Sequence, residues 1–465
     1  MENFITSIND FLWTYILTVV LIAAGLWFTI KTGFVQFRNP IAMLKLLAEG
    51  VSLSGKGKKH HVSSFQAFCI STASRVGTGN MAGVATAIAV GGPGAIFWMW
   101  LIAIFSAASA FIEATLAQIY KTKGQRSYIG GPAYYMEKGL KQRWMGIFFA
   151  VLITVTFGLV FNSVQSNTIT LAFNEAFGFD RVQMGLVVAV LSGVVIFGGI
   201  HRIAVVSSVV VPVMALAYVA LSLFILGKNI DQVPAMFAQI FESAFGLKQI
   251  VGGGLGAALM QGIKRGLFSN EAGMGSAPNA AATAHVSHPV KQGFIQVLGV
   301  FTDTLVICSS TAFIVLLSGA DLSGGIKGIQ LTQVAVSNQV GAFGSVFIAI
   351  SIFFFAFSSI IGNYYYGEVN MRFITDRRRY MWLYRLVVIL MVFVGSILSL
   401  DIVWSLADVF MALMALTNLV AIVLLGNIAV KALKDYQKQK RNGVANPTFH
   451  KSSIKELKDE DITCW

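Results

Sequence analysis

The chain alternates long apolar runs with short polar stretches over most of its length. The runs cover about 11–30, 64–90, 94–119, 144–173, 183–199, 203–227, a glycine-rich segment from 250, 293–318, 344–366, 381–399 and 403–430. Most reach the ~20 residues that a helix needs to cross a bilayer. An outer-membrane barrel would show ~10-residue alternating segments instead, and the sequence has none. The pattern predicts an all-α integral membrane protein with eleven transmembrane helices. The first run follows an N-terminus without positive charge, so it reads as a retained span and not as a cleaved leader.

Two runs are interrupted. Thr72 to Met81 reads T-A-S-R-V-G-T-G-N-M inside an apolar segment. Glycine loosens a helix, and bare backbone at membrane depth survives only where it lines a cavity. The second interruption is V-G-G-G-L-G-A-A-L-M-Q-G-I-K-R-G-L-F-S-N-E-A-G-M-G-S from residue 251. Its break is expected at Gln261 to Gly266. Ser269 or Asn270 would then cap the following half-helix, with Glu271 in its first turn. Without the first run, the interrupted runs are numbers one and six of ten. An odd number of spans per half inverts the second half, and broken helices at matching positions of inverted halves point to a midplane transport site. The expected organisation is residues 1–63 as an extra helix and basic loop, 64–430 as a ten-helix core (repeats 64–227 and 250–430), and 431–465 as a cytoplasmic tail, partly helical.

Composition agrees: 56% of the 465 residues are hydrophobic and 12% charged, where a soluble globule carries about 25% charged. The net charge of +13 does not indicate nucleic acid, because the basic residues fall between apolar runs. Alternate loops and the tail hold 28 of the 34 Lys and Arg residues, and the opposite loops hold 4. That asymmetry puts the N-terminus outside, the tail inside, and the chain in a cell membrane of bacterial inner-membrane type. The tail's basic residues could meet anionic lipid or a regulatory partner. Membrane lipid and a small-molecule substrate are the expected partners, with no obligatory protein partner evident. Cys69, Cys308 and Cys464 are too scattered for a metal motif or disulfide framework.

The chemistry concentrates in the interrupted runs. The amides of Gly77, Thr78 and Gly79, freed from helical pairing, can point at a carboxylate; the alternative is close packing of small residues. Asn80 could ligate sodium, contact substrate or cap the half-helix. Carbonyls freed at Ala73 and Val76 suit a hard cation. Arg75 should face a cavity or an acid, with Glu113, Glu271 and Asp303 as candidate partners. Asn162 and Gln165 share a face of their helix, and Gln165 is the stronger candidate for a pocket wall. Ser358, Ser359 and Asn363 form a polar stripe, although membrane serines often bond their own helix. Lys264 and Arg265 are expected near the cytoplasmic mouth. G-T-G-N lacks the context of a nucleotide loop. His285 and His288 have no further ligands spaced to close a zinc site and should line the cytoplasmic face. No catalytic constellation is evident, so an enzyme is not expected.

V-G-T-G-N-M-A-G-V-A-T-A-I-A-V-G-G-P-G-A-I-F-W-M-W at 76–100, R-G-L-F-S-N-E-A-G-M-G-S-A-P at 265–278 and Y-Y-Y-G-E at 364–368 resemble blocks of the alanine/glycine:cation symporter family. The resemblance extends to about residue 430. It implies the leucine-transporter (LeuT) fold, a 5+5 inverted repeat preceded here by one extra helix, and sodium-driven uptake of neutral amino acids by alternating access. It implies that Gly77, Thr78 and Gly79 hold the substrate carboxylate. Carbonyls of Ala73 and Val76 with the Ser358 hydroxyl would hold sodium, and Ser359 would face the substrate. Sodium is the expected coupling ion, without an organic cofactor. Proton coupling through Asp303, Glu113 or Glu271 is the alternative; proton-coupled relatives of the fold tend to carry a lysine on the span matching 203–227, which has none. The family pattern often has tryptophan four residues after Ser359. Asn363 stands there, which implies a larger polar substrate, glutamine foremost.

Overall fold

The computed structural model describes residues 2–38, 40–54, 62–124, 127–198, 200–246, 254–322, 324–457 and 462–465. The basic run at 55–61 and Val251, Gly252 and Gly253 lie outside them. The helices that matter here are α1 (Ser7–Lys31), α2 (Ser64–Arg75), α3 (Gly79–Gly91), α4 (Ala95–Ile119), α5 (Arg143–Phe177), α6 (Arg181–Ile196), α7 (Ile200–Lys228), α8 (Leu255–Asn270), α9 (Ala277–Ala281), α10 (Val290–Leu317), α11 (Gly328–Val340), α12 (Phe343–Ile374), α13 (Arg378–Ile397) and α14 (Leu400–Arg441). A two-residue ribbon, β1 (Thr122–Lys123) on β2 (Tyr128–Ile129), follows α4.

Among the described residues eight helices are long and apolar enough to cross a membrane: α1, α4, α5, the apolar part of α7, α10, α12, α13 and α14. Two more, α3 and α6, are apolar but shorter. Side chains such as Tyr15 on α1, Leu186 on α6, Leu216 on α7 and Leu383 on α13 are exposed. An apolar exterior of this extent fits a lipid surround and not water.

The core sits on α4, whose residues Ser106–Ile119 are all buried. Helices α8, α10 and α1 pack against it. The interrupted helices lie beside it in two pairs. Helix α2 packs on α9, and α3 packs on α8. On the α2–α9 side, Val62 and Ala284 form a short parallel bridge.

The second break is not at Gln261 to Gly266. Helix α8 runs unbroken through them and ends at Asn270, where Glu271 takes a left-handed conformation (φ 56°). Gly273 and Gly275 follow at φ +86° and +87°. Gly262 and Gly266 are instead packing glycines. A Cβ at 262 would stand 2.4 Å from the Ala95 carbonyl oxygen, and one at 266 would stand 3.0 Å from Ile102. Ser269, Asn270 and Glu271 therefore close a half-helix and do not open one. The freed backbone is satisfied by Glu113 on α4. It accepts from the Gly273 and Gly275 amides at 3.1 Å each and from Asn418 Nδ2 at 2.8 Å.

Lys264 and Arg265 also lie elsewhere than expected. Both are buried in α8, on the opposite side of the break from α9. Arg265 holds Asp408 of α14 through two bonds of 3.1 and 2.9 Å, and Lys264 Nζ stands 3.5 Å from the same carboxylate. Removing these two from the basic side of the loop count leaves the asymmetry intact.

The tail does not hang free. Helix α14 continues to Arg441, and the chain then folds back. Phe449 N donates to Ser287 O at 2.9 Å, and Trp465 Nε1 donates to Gln118 O at 2.8 Å. Trp465 packs with Ala67, Ala284 and Val286. Lys121 lies under its ring at 4.6 Å and under the Tyr128 ring at 4.1 Å.

Candidate functional site

Helix α2 stops at Arg75 because Val76 turns to extended backbone (φ −80°, ψ 94°). Gly77 is required at the next position, since a Cβ there would stand 2.2 Å from Ser359 Oγ and 2.8 Å from Gln165 Oε1. The break is thus filled by side chains from two other helices. Gln165 Oε1 on α5 accepts from the Thr78 amide at 3.0 Å. Asn80 Oδ1 accepts from the Gly77 amide at 2.9 Å, which makes Asn80 a cap for the opened turn. Its Nδ2 donates to Asp303 Oδ1 on α10 at 2.7 Å. Asp303 also accepts from Ser269 Oγ at 2.8 Å and Thr304 Oγ1 at 3.1 Å. The Thr78 hydroxyl is buried without a hydrogen-bond partner.

Oxygens gather on the other side of Gly77. Ser359 Oγ lies 2.8 Å from Ala73 O, 3.3 Å from Val76 O and 3.1 Å from Phe355 O. This is a set of carbonyl and hydroxyl oxygens from two helices, the donor type a hard cation takes. The hydroxyl in it belongs to Ser359, where Ser358 was expected: Ser358 Oγ bonds its own helix, at Phe355 O, 2.8 Å away.

Asn363 stands a turn further along α12, away from the Gly77 and Thr78 amides. Its Oδ1 is 2.8 Å from Ser74 Oγ. Ser74 Oγ in turn lies 2.6 Å from Glu271 Oε1, and Glu271 Oε2 accepts from Ser276 Oγ at 2.6 Å. Asn363 therefore joins the two breaks. Arg75 is buried with no hydrogen-bond partner, within electrostatic reach of Glu113, Glu271 and Asp303.

Above Gly79, on the α3–α8 side, three aromatic rings close the site. Phe161 and Phe268 stand 4.6 Å apart, and Phe268 and Trp404 4.7 Å. A Cβ at Gly79 would come within 2.9 Å of Phe268. Arg265 covers Trp404 at 4.3 Å, so the Arg265–Asp408 pair lies over the aromatic layer. Asp408, a lone acid inside an apolar run, is the signal the sequence offers for this layer.

The whole chain up to residue 451 matches the family model described as "Sodium:alanine symporter family". The chain belongs to that family, whose members are multi-pass membrane transporters. It is 52% identical to the probable sodium/glutamine symporter GlnT of Bacillus subtilis (strain 168), over 100% of this chain and 96% of the relative. It is 52% identical to the amino-acid carrier protein AlsT of the same organism, over 99% and 98%. The sodium/alanine symporter AgcS of Methanococcus maripaludis is 36% identical, over 96% and 99%. Among solved structures, MhsT in complex with L-phenylalanine matches with a TM-score of 0.57 at 14% identity, over 83% of this chain and 99% of that one. A manganese transporter of Eremococcus coleocola matches at 0.54 and 14% identity, over 82% and 89%. This family member therefore shares a LeuT-type fold.

Proposed function

We propose that the protein is a sodium-coupled symporter that carries neutral amino acids, glutamine foremost, into the cell by alternating access. The observation that carries this reading is the opened turn at Val76–Thr78. On one side of it, Ala73 O, Val76 O and Phe355 O converge on Ser359 Oγ. On the other, the Gly77 and Thr78 amides are occupied by the neutral oxygens of Asn80 and Gln165. A substrate carboxylate is a stronger acceptor than either side-chain amide and would displace them, with the Gly79 amide and Thr78 hydroxyl beside it. Sodium would sit among the Ala73, Val76 and Ser359 oxygens, with Ser358 next to it on α12. Ion and substrate would then share one opened turn, so each tightens the other's binding.

Glutamine is favoured by the 52% identity to a relative named as a sodium/glutamine symporter and by Asn363, whose amide can hydrogen-bond another amide. Alanine remains the second candidate through the relative named as a sodium/alanine symporter. In this reading the broken pairs α2–α3 and α8–α9, together with α6, raise the eight long spans to eleven. They form two inverted repeats, 64–227 and 250–430, after the extra helix α1. The tail docks on the end of α4 at 118–121 and on the loop at 284–287, which the charge asymmetry puts in the cytoplasm.

The test is uptake of labelled glutamine and alanine by the purified protein in liposomes. An inward sodium gradient should drive accumulation, and choline in its place at fixed pH should abolish it. Uptake that ignores sodium but follows a pH gradient would move the coupling to the buried acids Glu271 and Asp303.

A further inference from the structure

Arg75 is the buried charge the transport site does not use. Its Nε, Nη1 and Nη2 have no hydrogen-bond partner, and the side chain is 2% exposed. An unsatisfied buried charge is costly.

Its surroundings are also unsatisfied. Thr72 Oγ1, both amide atoms of Gln296 and Asn363 Nδ2 are all buried without partners. They come from three helices. Arg75 faces Gly299 on α10, where a Cβ would stand 2.3 Å from Nη1, so the guanidinium occupies the room a side chain at 299 would take. Thr72 precedes Arg75 by one turn on α2, and Gln296 precedes Gly299 by one turn on α10. The two helices pack together and start on the same side, that of the Val62–Ala284 bridge. Asn363 and Tyr366 share a face of α12. Opposite stands Glu271, held by Ser74 and Ser276. Glu271 and Arg75 attract each other, yet no ion pair closes between them.

We propose that Arg75 and Glu271 form a second amino-acid subsite, about one turn from the opened turn on the tail's side, that receives the zwitterion as it leaves. The carboxylate goes to Arg75, assisted by Thr72 and Gln296, and the ammonium goes to Glu271. Asn363 and Tyr366 line the space between. A zwitterion supplies a carboxylate for Arg75 and an ammonium for Glu271 and adds no net charge to the buried site. The inference rests on the proposed amino-acid symport.

The test uses Gln296→Leu and Thr72→Val, neither of which touches the Gly77–Thr78 amides. Three measurements are made on the full-length protein: sodium-dependent equilibrium binding of labelled glutamine, exchange of labelled for unlabelled glutamine across liposomes, and thermal unfolding. The expected result is binding within about two-fold of the parent and exchange slowed about ten-fold or more, since a hydrogen bond to a charged group is lost. Arg75→Lys should slow exchange further. Unchanged exchange in both neutral variants overturns the subsite, because deleting an orphaned polar group should then only stabilise the fold. Binding and exchange lost in equal measure also overturns it, by placing these residues in the first site. If the parent itself binds no neutral amino acid with sodium, the symport reading fails instead.

Discussion

Ser359 Oγ lies 2.8 Å from the carbonyl oxygen of Ala73, across 286 residues of chain. That contact joins the end of α2 to the middle of α12. It is made possible by Gly77, which leaves no side chain between them. Ser359→Ala should weaken sodium activation of uptake at least ten-fold, from loss of a ligand to a charged ion. Ser358→Ala should change it much less, because that hydroxyl is bound within its own helix. Titration of sodium against uptake rate decides between them.

Asn363 bridges towards Ser74 and Glu271 and is 1% exposed. A tryptophan there would replace the Asn363–Ser74 contact between the two breaks with a bulkier ring. Asn363→Trp should lower glutamine uptake by ten-fold or more and spare alanine better, as read by competition between the labelled substrates. Equal loss of both would count against size selection at this position.

Asp408 is buried against both Arg265 and Lys264, so Asp408→Leu strands two cations and should cost about 3–5 kcal/mol of stability. Arg265→Met leaves Lys264 beside the carboxylate and should cost less, which thermal unfolding of the detergent-solubilised protein can measure. Substrate occlusion should still fall in Arg265→Met, because Arg265 also covers Trp404.

The docked tail gives a further expectation. Trp465 and Phe449 tie the chain end to residues beside the start of α2. Trp465→Ala should loosen that end. Cys69, buried on α2, should then react faster with a maleimide, by several-fold.

The same contact should depend on pH. Burial pushes Lys121, just past the end of α4, down to about 7. Undocking the tail would expose Lys121 and return it towards its ordinary value near 10.5. The undocked form then binds more protons between those values, so docking strengthens as pH rises above about 7 and the gain is absent below it. Limited proteolysis of the tail should therefore slow between pH 7 and 9, and Lys121→Met should flatten that dependence.

Much of this was legible in the chain. The long runs mark the spans, because a bilayer demands ~20 apolar residues and every backbone bond satisfied. Arg75, two glycines and Asn80 inside such a run mark the first break, because no lipid-facing helix carries that set. Gln165 and Ser359 stand out as polar side chains in apolar helices, and the structure brings both to Gly77. Other assignments needed neighbours. A glycine that opens a turn and a glycine that lets two helices touch look alike in sequence, and only the Ala95 carbonyl against Gly262 tells them apart. That is why the second break lies at Glu271 to Ser276. Adjacent serines differ by about 100° around a helix, so only packing on α2 shows that the Ser359 hydroxyl, and not that of Ser358, meets the Ala73 and Val76 carbonyls. Lys264 and Arg265 read as loop charges until Asp408, more than 140 residues away, supplies the partner that lets them be buried. Local sequence determined which residues are unusual for a membrane, because lipid penalises them wherever they occur. The tertiary structure decided what each one meets, because that depends on contacts the chain makes only once its helices are packed.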